Sequence, residues 1–80
     1  MVTPENVRSY IAGGLACEQL EVTGDGQHFE AMIVSTLFEG KRLIQRHQLV
    51  YAVLGDRMRA EIHALSMHTL TPSEYAAQRA

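Results

Sequence analysis

The first part of the chain repeats its apolar positions at the spacing of an amphipathic helix. Thr3 suits the position of a helix cap and Pro4 the first helical position. The positions that share one apolar face are Val7, Tyr10, Ile11, Gly14 and Leu15. The pattern predicts a helix from residue 4 onward, weakened in its last turns by the Gly13-Gly14 pair.

Two stretches further along the chain are typical of β-strands. They are Glu18–Thr23 and the more apolar His28–Ser35, and Gly24-Asp25-Gly26 separates them. An aspartate between two glycines favours a tight turn. We therefore predict an antiparallel hairpin.

The rest of the chain indicates a helix, a strand and a second, shorter helix. Thr36–Leu43 is interpreted as a connection. Ile44–Glu61 is interpreted as one long helix, although Gly55 costs about 1 kcal/mol relative to alanine in a helix interior. Ile62–Leu70 is predicted to be the third strand. The following Thr71-Pro72-Ser73-Glu74 has the residues of a capping box and begins the last helix.

These elements define an α/β fold of the α+β kind, in the order α-β-β-α-β-α. A hairpin followed by a helical crossover gives a three-stranded mixed sheet in which the crossover strands are parallel. We expect the helices to cover this sheet. Eighty residues are enough for one domain, so residues 1–80 are predicted to form a single domain.

The charge, the cysteine content and the motifs narrow the functional classes. The formal net charge of −2 disfavours tight electrostatic binding to nucleic acid. Cys17 is the only cysteine, which favours a reducing, cytoplasmic location, and we expect neither a secretory leader nor a membrane span. The sequence contains no phosphate-binding glycine loop and no G-x-S-x-G, H-E-x-x-H or C-x-x-C motif. We therefore expect a binding protein rather than an enzyme.

Two histidines are candidates for metal chemistry. His63 lies at the start of the third predicted strand, where a neutral imidazole is able to bind a borderline metal. His28 follows the hairpin turn and is a second candidate ligand if the turn folds toward His63. The alternative for both is a structural role. Spacing alone favours this alternative, because a single histidine is rarely a complete metal site.

A basic segment lies at the start of the long predicted helix. It consists of Lys41, Arg42, Arg46 and His47. One interpretation is a contact surface for an anion, a protein partner or a nucleic acid, and the other is a solvated helix start. His47 lies beside the apolar stripe, so we expect it to be half buried. The residues alone leave both interpretations open.

Three stretches together resemble the BolA family. They are GDGQHFEAMIV at 24–34, LFEGKRLIQRHQLVY at 37–51 and IHALSMHTLTPSEY at 62–75. The F-x-G-K…R-H-x-x-V-Y run is the most specific match, followed by I-H-A-L with the later T-P-x-E and aromatic residue. The similarity extends over nearly the whole chain, and the short length is similar to the compact bacterial subgroup.

This resemblance implies a fold related to the type II KH domain and a role as partner of a monothiol glutaredoxin. BolA proteins help to hold or pass on a two-iron, two-sulfur cluster in iron–sulfur and iron homeostasis. The family's hallmark histidine corresponds to His63, and the second ligand, a His or Cys of the hairpin, has only His28 near its position. The thiolates then come from glutaredoxin and glutathione. We expect a monomer without cofactor in isolation and a heterodimer with the partner.

The resemblance also implies an alternative function as a transcriptional regulator in stress response or cell morphology. Arg46 and His47 lie in the region that would contact DNA or RNA. A KH domain clamps nucleic acid with a G-x-x-G loop, and no such run occurs in this sequence. The missing loop and the acidic net charge favour the role as a glutaredoxin partner.

Overall fold

The elements of the fold follow the predicted order, with one additional short helix. The computed structural model describes residues 2–79, with the side chains of residues 2–78, so Met1 and Ala80 of the predicted domain lie outside the described residues. None of the helices in this described part has the length and apolar content needed to cross a bilayer. The elements are α1 (Pro4–Gly14), β1 (Gln19–Gly24), β2 (His28–Val34), a 3-10 turn (Thr36–Phe38), α2 (Leu43–Leu54), α3 (Arg57–Ala60), β3 (Ala64–Leu70) and α4 (Pro72–Arg79).

The three strands form one mixed sheet in the order β1-β2-β3. β1 and β2 are the antiparallel hairpin that the glycine-rich turn predicts. β2 and β3 pair in parallel, from His28 opposite Ala64 to Val34 opposite Leu70. The predicted mixed sheet with a parallel crossover is therefore confirmed.

The core lies between one face of the sheet and helices α1 and α2. Alternate residues of β2 point into it, and Phe29, Ala31 and Ile33 are each buried. Other buried members include Val7, Ile11, Leu15, Leu20, Phe38, Val50, Leu54 and Ile62. On the other face the middle of the sheet is exposed, at Glu21, Glu30, Ser66 and His68. Helices therefore cover one face as predicted, and the middle of the other face is open to solvent.

The predicted helix over Ile44–Glu61 is interrupted at Gly55. This glycine has a φ of +58°, a left-handed conformation that residues with a side chain rarely adopt. Its N–H donates to the carbonyl of Tyr51 at 2.8 Å and ends α2, as glycine commonly does at a helix end. The chain then turns through α3 toward β3, and Ile62 becomes buried. The prediction of a single helix is wrong because this turn is needed to begin the third strand.

Side-chain hydrogen bonds confirm both predicted helix starts. Thr3 Oγ1 accepts from the N–H of Asn6 at 3.1 Å, and the Asn6 side chain accepts from the N–H of Thr3 at 3.0 Å. Thr71 and Glu74 form the same reciprocal pair, at 3.2 and 2.9 Å. Such caps satisfy N–H groups that have no partner inside the helix. Each is typically worth about 1 kcal/mol of stability.

The close approach of α1 to α2 at Gly14 can be tested with a matched pair of variants. A Cβ added at Gly14 would lie 2.6 Å from Cγ1 of Val53, whereas one added at Gly13 meets nothing within 4 Å. We expect Gly14→Ala to destabilise the fold by about 1–3 kcal/mol through overpacking. Gly13→Ala is expected to stabilise it by about 0.5–1 kcal/mol through helix propensity. Denaturant unfolding measures both, and equal effects would contradict the close contact.

Candidate histidine site at the end of the sheet

His63 lies one residue before β3, at the end of the sheet where β2 and β3 begin. The backbone on both sides is fixed, because Ile62 is buried and the N–H of Ala64 donates to the carbonyl of Gln27 at 3.1 Å. The His63 side chain is exposed and borders a shallow depression of about 220 Å³ formed by residues 58–63. The imidazole is therefore held at a defined place and remains accessible to a partner.

His28 is the first residue of β2 and pairs with Ala64, so it lies at the same end of the sheet as His63. Its N–H donates to the Asp25 carboxylate at 2.9 Å, and this bond is the main cause of the lowered pKa of Asp25. His28 lies on the open face of the sheet with its strand neighbour Ala64, and both line one cavity. His63 lies at a bend before β3 and borders a separate depression, so the structure brings the two predicted ligands to one end of the sheet without placing them in one pocket.

The chemistry of the donors at this end limits which metal group fits. Within residues 2–79, no group of three or more His, Cys, Asp or Glu side chains is arranged to hold a metal ion. Cys17 lies at the other end of the sheet, because its neighbour Glu18 donates to the carbonyl of Val34 at 2.7 Å. The seven residues of β2 separate the two ends by about 20 Å. Burial also raises the pKa of the Cys17 thiol. An iron–sulfur cluster therefore fits at His63 only where another molecule supplies the thiolates.

Arg46 of the basic segment is committed to contacts within the chain. Its guanidinium donates to the Glu74 carboxylate at 2.7 and 3.2 Å and to the Thr69 carbonyl at 3.1 Å. Its Nε donates to the Lys41 carbonyl at 2.9 Å, and its guanidinium lies 5.9 Å from the centre of the Phe38 ring. Only 12% of the Arg46 side chain is exposed. Arg46 therefore joins α2 to the end of β3 and the beginning of α4.

The other members of the basic segment are divided between interior and surface. His47 is half buried, as its place beside the apolar stripe predicts, and its Nε2 is buried without a hydrogen-bond partner among the described residues. Lys41 and Arg42 are exposed. Lys41 and Arg42 are therefore accessible for a contact surface. The structure gives no support to the contact role predicted for Arg46 and His47.

The two predicted sites lie at opposite ends of the fold. α2 begins beside the end of β3, where Arg46 contacts Thr69, and its twelve residues extend for about 18 Å toward the beginning of that strand. Lys41 and Arg42 precede α2, and His63 precedes β3. The two predicted sites are therefore separated by about the length of α2.

A contact that the sequence patterns do not indicate holds α3 beside His63. Tyr10 of α1 donates to the Glu61 carboxylate at 2.8 Å, and the Arg57 guanidinium lies 4.1 Å from the centre of the Tyr10 ring. The hydrogen bond with Glu61 is the main cause of the raised pKa of Tyr10. The helical periodicity around Tyr10 shows only that it borders the core. This periodicity does not indicate a hydrogen-bond partner so distant in the sequence.

The fold and the site define a small α+β domain with an exposed histidine beside a parallel strand pair. The chain belongs to the BolA family, because the family model described as BolA-like protein matches residues 9–74. The structure of a BolA protein homologue from Coxiella burnetii matches with a TM-score of 0.83 and 44% identity, over 95% of this chain and 99% of that chain. The predicted family and fold are therefore confirmed.

Curated relatives carry different names within this family. The chain is 44% identical over 55 residues to the DNA-binding transcriptional regulator BolA of Haemophilus influenzae, covering 69% of this chain and 53% of the relative. It is also 44% identical over 80 residues to Protein BOLA2 of Arabidopsis thaliana, covering 94% of this chain and 85% of the relative. The chain thus spans about half the length of the Haemophilus relative. The name of the Haemophilus relative describes DNA binding and regulation, and that of the Arabidopsis relative gives only the family.

The contact between Arg46 and Glu74 makes a prediction about stability and pH. Hydrogen bonding to Arg46 lowers the pKa of Glu74 from its usual value of 4.5 to about 2. A carboxyl whose pKa is lower in the folded state than in the unfolded state stabilises the fold at pH values above the unfolded-state pKa. This stabilisation is lost as the pH falls through the folded-state pKa. We expect Glu74→Gln to lower the thermal midpoint only slightly at neutral pH, because the Glu74 side chain is 45% exposed, and to flatten the loss of stability between pH 4.5 and about 2.

Thermal unfolding followed by circular dichroism across this pH range measures the effect. Arg46→Ala is expected to lower the midpoint further at neutral pH, because it also removes the hydrogen bonds to the carbonyls of Thr69 and Lys41. Arg42→Ala is the matched control, since Arg42 is exposed. A Glu74→Gln variant with the pH profile of the wild type would contradict the prediction.

Proposed function

We propose that the protein is a partner of a monothiol glutaredoxin and that the two proteins hold a two-iron, two-sulfur cluster between them. His63 is the ligand from this chain, and the thiolates come from the glutaredoxin and glutathione. The observation that carries the proposal is the exposed His63 imidazole on a fixed backbone, at a sheet end where this chain has no thiolate. Membership of the BolA family supports it.

Histidine suits a cluster that is shared and passed on. It replaces thiolate at Rieske centres, where it raises the reduction potential. When bound, the cluster supplies one-electron transfer or donation of iron and sulfur to an acceptor. This chain contributes a neutral nitrogen donor, for which protons compete with the metal. We expect the shared cluster to be released more readily at acid pH than one held by cysteines alone.

His28 is the second candidate ligand in the proposal. The hairpin fixes its backbone through Asp25. Its side chain lies on the open face of the sheet, beside a cavity of about 480 Å³ that Ala64 and Ser66 also line. This cavity is separate from the depression that His63 borders, so the two histidines do not line one pocket. We expect its replacement to weaken cluster binding less than replacement of His63.

Replacing His63 tests the proposed cluster ligand. Addition of the protein to a cluster-loaded monothiol glutaredoxin is expected to change the visible absorption and circular dichroism of the cluster. His63→Ala is expected to abolish or alter that change, because the imidazole ligand is lost. His68→Ala is the matched control, since His68 is also exposed but lies opposite Met32 on the open face of the sheet.

Comparison of the two variants distinguishes the loss of a cluster ligand from a general effect of changing a surface side chain. Far-ultraviolet circular dichroism of the isolated protein is expected to be the same for the wild type and both variants, because both histidines are exposed. Identical cluster spectra with and without His63 would rule out the proposed role. Equal losses in His63→Ala and His68→Ala would also count against it.

A second candidate function is nucleic-acid binding by a transcriptional regulator. Lys41 and Arg42 are exposed side by side before α2, and the Haemophilus influenzae relative is named a DNA-binding transcriptional regulator. Against this function, Arg46 is paired with Glu74, and the net charge is −2. Two exposed cations give only a weak contact that is sensitive to salt.

Separate replacement of the exposed and the paired cations tests this second function. For a DNA contact at the beginning of α2, combined Lys41→Ala and Arg42→Ala is expected to reduce the slope of log K against log salt by about two, one for each phosphate contact. Its thermal midpoint is expected to stay unchanged, whereas Arg46→Ala lowers the midpoint. Fluorescence anisotropy of a labelled duplex at several salt concentrations measures the slope. An unchanged slope would exclude this contact.

A further inference from the structure

The depression beside His63 contains an arginine that is not used by the fold. Residues 58–63 line this depression, and its charged side chains are those of Arg59 and Glu61. Arg59 is exposed, and its guanidinium makes no ion pair or ring contact with any side chain that the structure describes. Its positive charge is therefore accessible to a ligand at the depression.

The carboxylate that lines the same depression already has partners. Glu61 accepts a hydrogen bond from Tyr10 at 2.8 Å and forms an ion pair with Arg57 at 3.9 Å. The Arg57 guanidinium also stacks on the Tyr10 ring, so these three side chains contact one another beside the depression. The charge of Glu61 is thus offset by Arg57, whereas the charge of Arg59 is not offset.

The other acidic side chains near this end of the sheet do not line the depression. Asp25 and Glu30 line the separate cavity on the open face of the sheet. Asp56 precedes α3, and in the described structure it forms no ion pair with Arg59. The depression therefore presents a positive charge to a ligand of His63.

We propose that Arg59 is an anion-binding residue of the His63 site and binds a carboxylate of the partner complex. This role rests on the proposed function and adds a contact that the cluster ligand does not make. A guanidinium binds a carboxylate through two parallel hydrogen bonds. Glutathione carries a carboxylate on each side of the cysteine whose thiolate is the expected ligand, and the glutaredoxin surface is the other source of such a group. A neutral imidazole offers these anions no charge, so Arg59 supplies the complementary charge at the site.

Substitutions of Arg59 test this contact in the complete complex. Isothermal titration calorimetry measures the affinity for a cluster-loaded monothiol glutaredoxin at low and at physiological salt. Arg59→Ala is expected to weaken the affinity about tenfold at low salt, through loss of a charge-assisted hydrogen-bonded pair, and less at physiological salt. Arg59→Glu is expected to weaken it further. Arg59→Lys is expected to retain part of the affinity, because lysine keeps the charge without the paired hydrogen bonds.

A second arginine and a second titration provide the controls. Arg8→Ala is expected to leave the affinity unchanged, because Arg8 is also exposed but lines the cavity beside Cys17 at the other end of the sheet. The titration is repeated with glutaredoxin that contains neither cluster nor glutathione. A loss for Arg59→Ala in both titrations assigns the carboxylate to the glutaredoxin, and a loss confined to the loaded complex assigns it to glutathione.

The cluster spectrum separates the role of Arg59 from that of His63. At saturating concentration Arg59→Ala is expected to keep the change in visible circular dichroism, because the imidazole is still present, whereas His63→Ala loses it. The role of Arg59 is excluded if Arg59→Ala and Arg59→Glu bind the loaded glutaredoxin as tightly as the wild type, or if Arg8→Ala loses as much affinity. Either result beside a spectral change that requires His63 leaves the proposed function intact. A wild type that leaves the cluster spectrum unchanged overturns the proposed function and the role of Arg59 together.

Discussion

The parallel pairing of β2 with β3 is the constraint on which the rest of the structure depends. Parallel neighbours cannot be joined by a tight turn, so the chain between Val34 and Ala64 has to cross over the sheet. The crossover contains α2 and α3, and it carries the basic segment to one end of the fold and His63 to the other. Both candidate surfaces, and the distance between them, result from this one pairing.

The signature run R-H-x-x-V-Y contributes mainly to the fold in this chain. Arg46 joins α2 to β3 and α4, His47 is half buried, and Val50 is fully buried in the core. Of the four residues that define the run, only Tyr51 is exposed. A basic motif therefore does not by itself define a binding surface, because an arginine that satisfies a carboxylate and a backbone carbonyl is not available to a partner.

Features that depend on neighbouring residues could be predicted from the sequence. The caps at Thr3 and Thr71 and the hairpin follow from short patterns, and these were confirmed. The interruption at Gly55 could not be predicted, since a helical pattern tolerates a glycine and the turn is imposed by the docking of β3. The pairing of Arg46 with Glu74 likewise depends on the assembled fold.

The candidate site could be predicted only in part for the same reason. The local pattern places His63 inside a third strand that starts at Ile62, whereas in the structure β3 starts at Ala64 and His63 lies just before it. The relation of His28 to His63 depends on the register between β2 and β3, which no spacing along the chain contains. The thiolate ligands of the proposed cluster would come from outside the chain, because its one thiol, on Cys17, is at the far end of the sheet.

The same parallel pairing has a consequence for the order of folding. The hairpin that carries His28 needs only local contacts, which form early, whereas β3 reaches β2 only after the intervening chain has been ordered. We therefore expect the backbone at His63 to be fixed after the hairpin has formed. For the proposed cluster, a chain whose β3 has not yet paired with β2 would lack a positioned His63, so cluster loading would select molecules with a complete sheet.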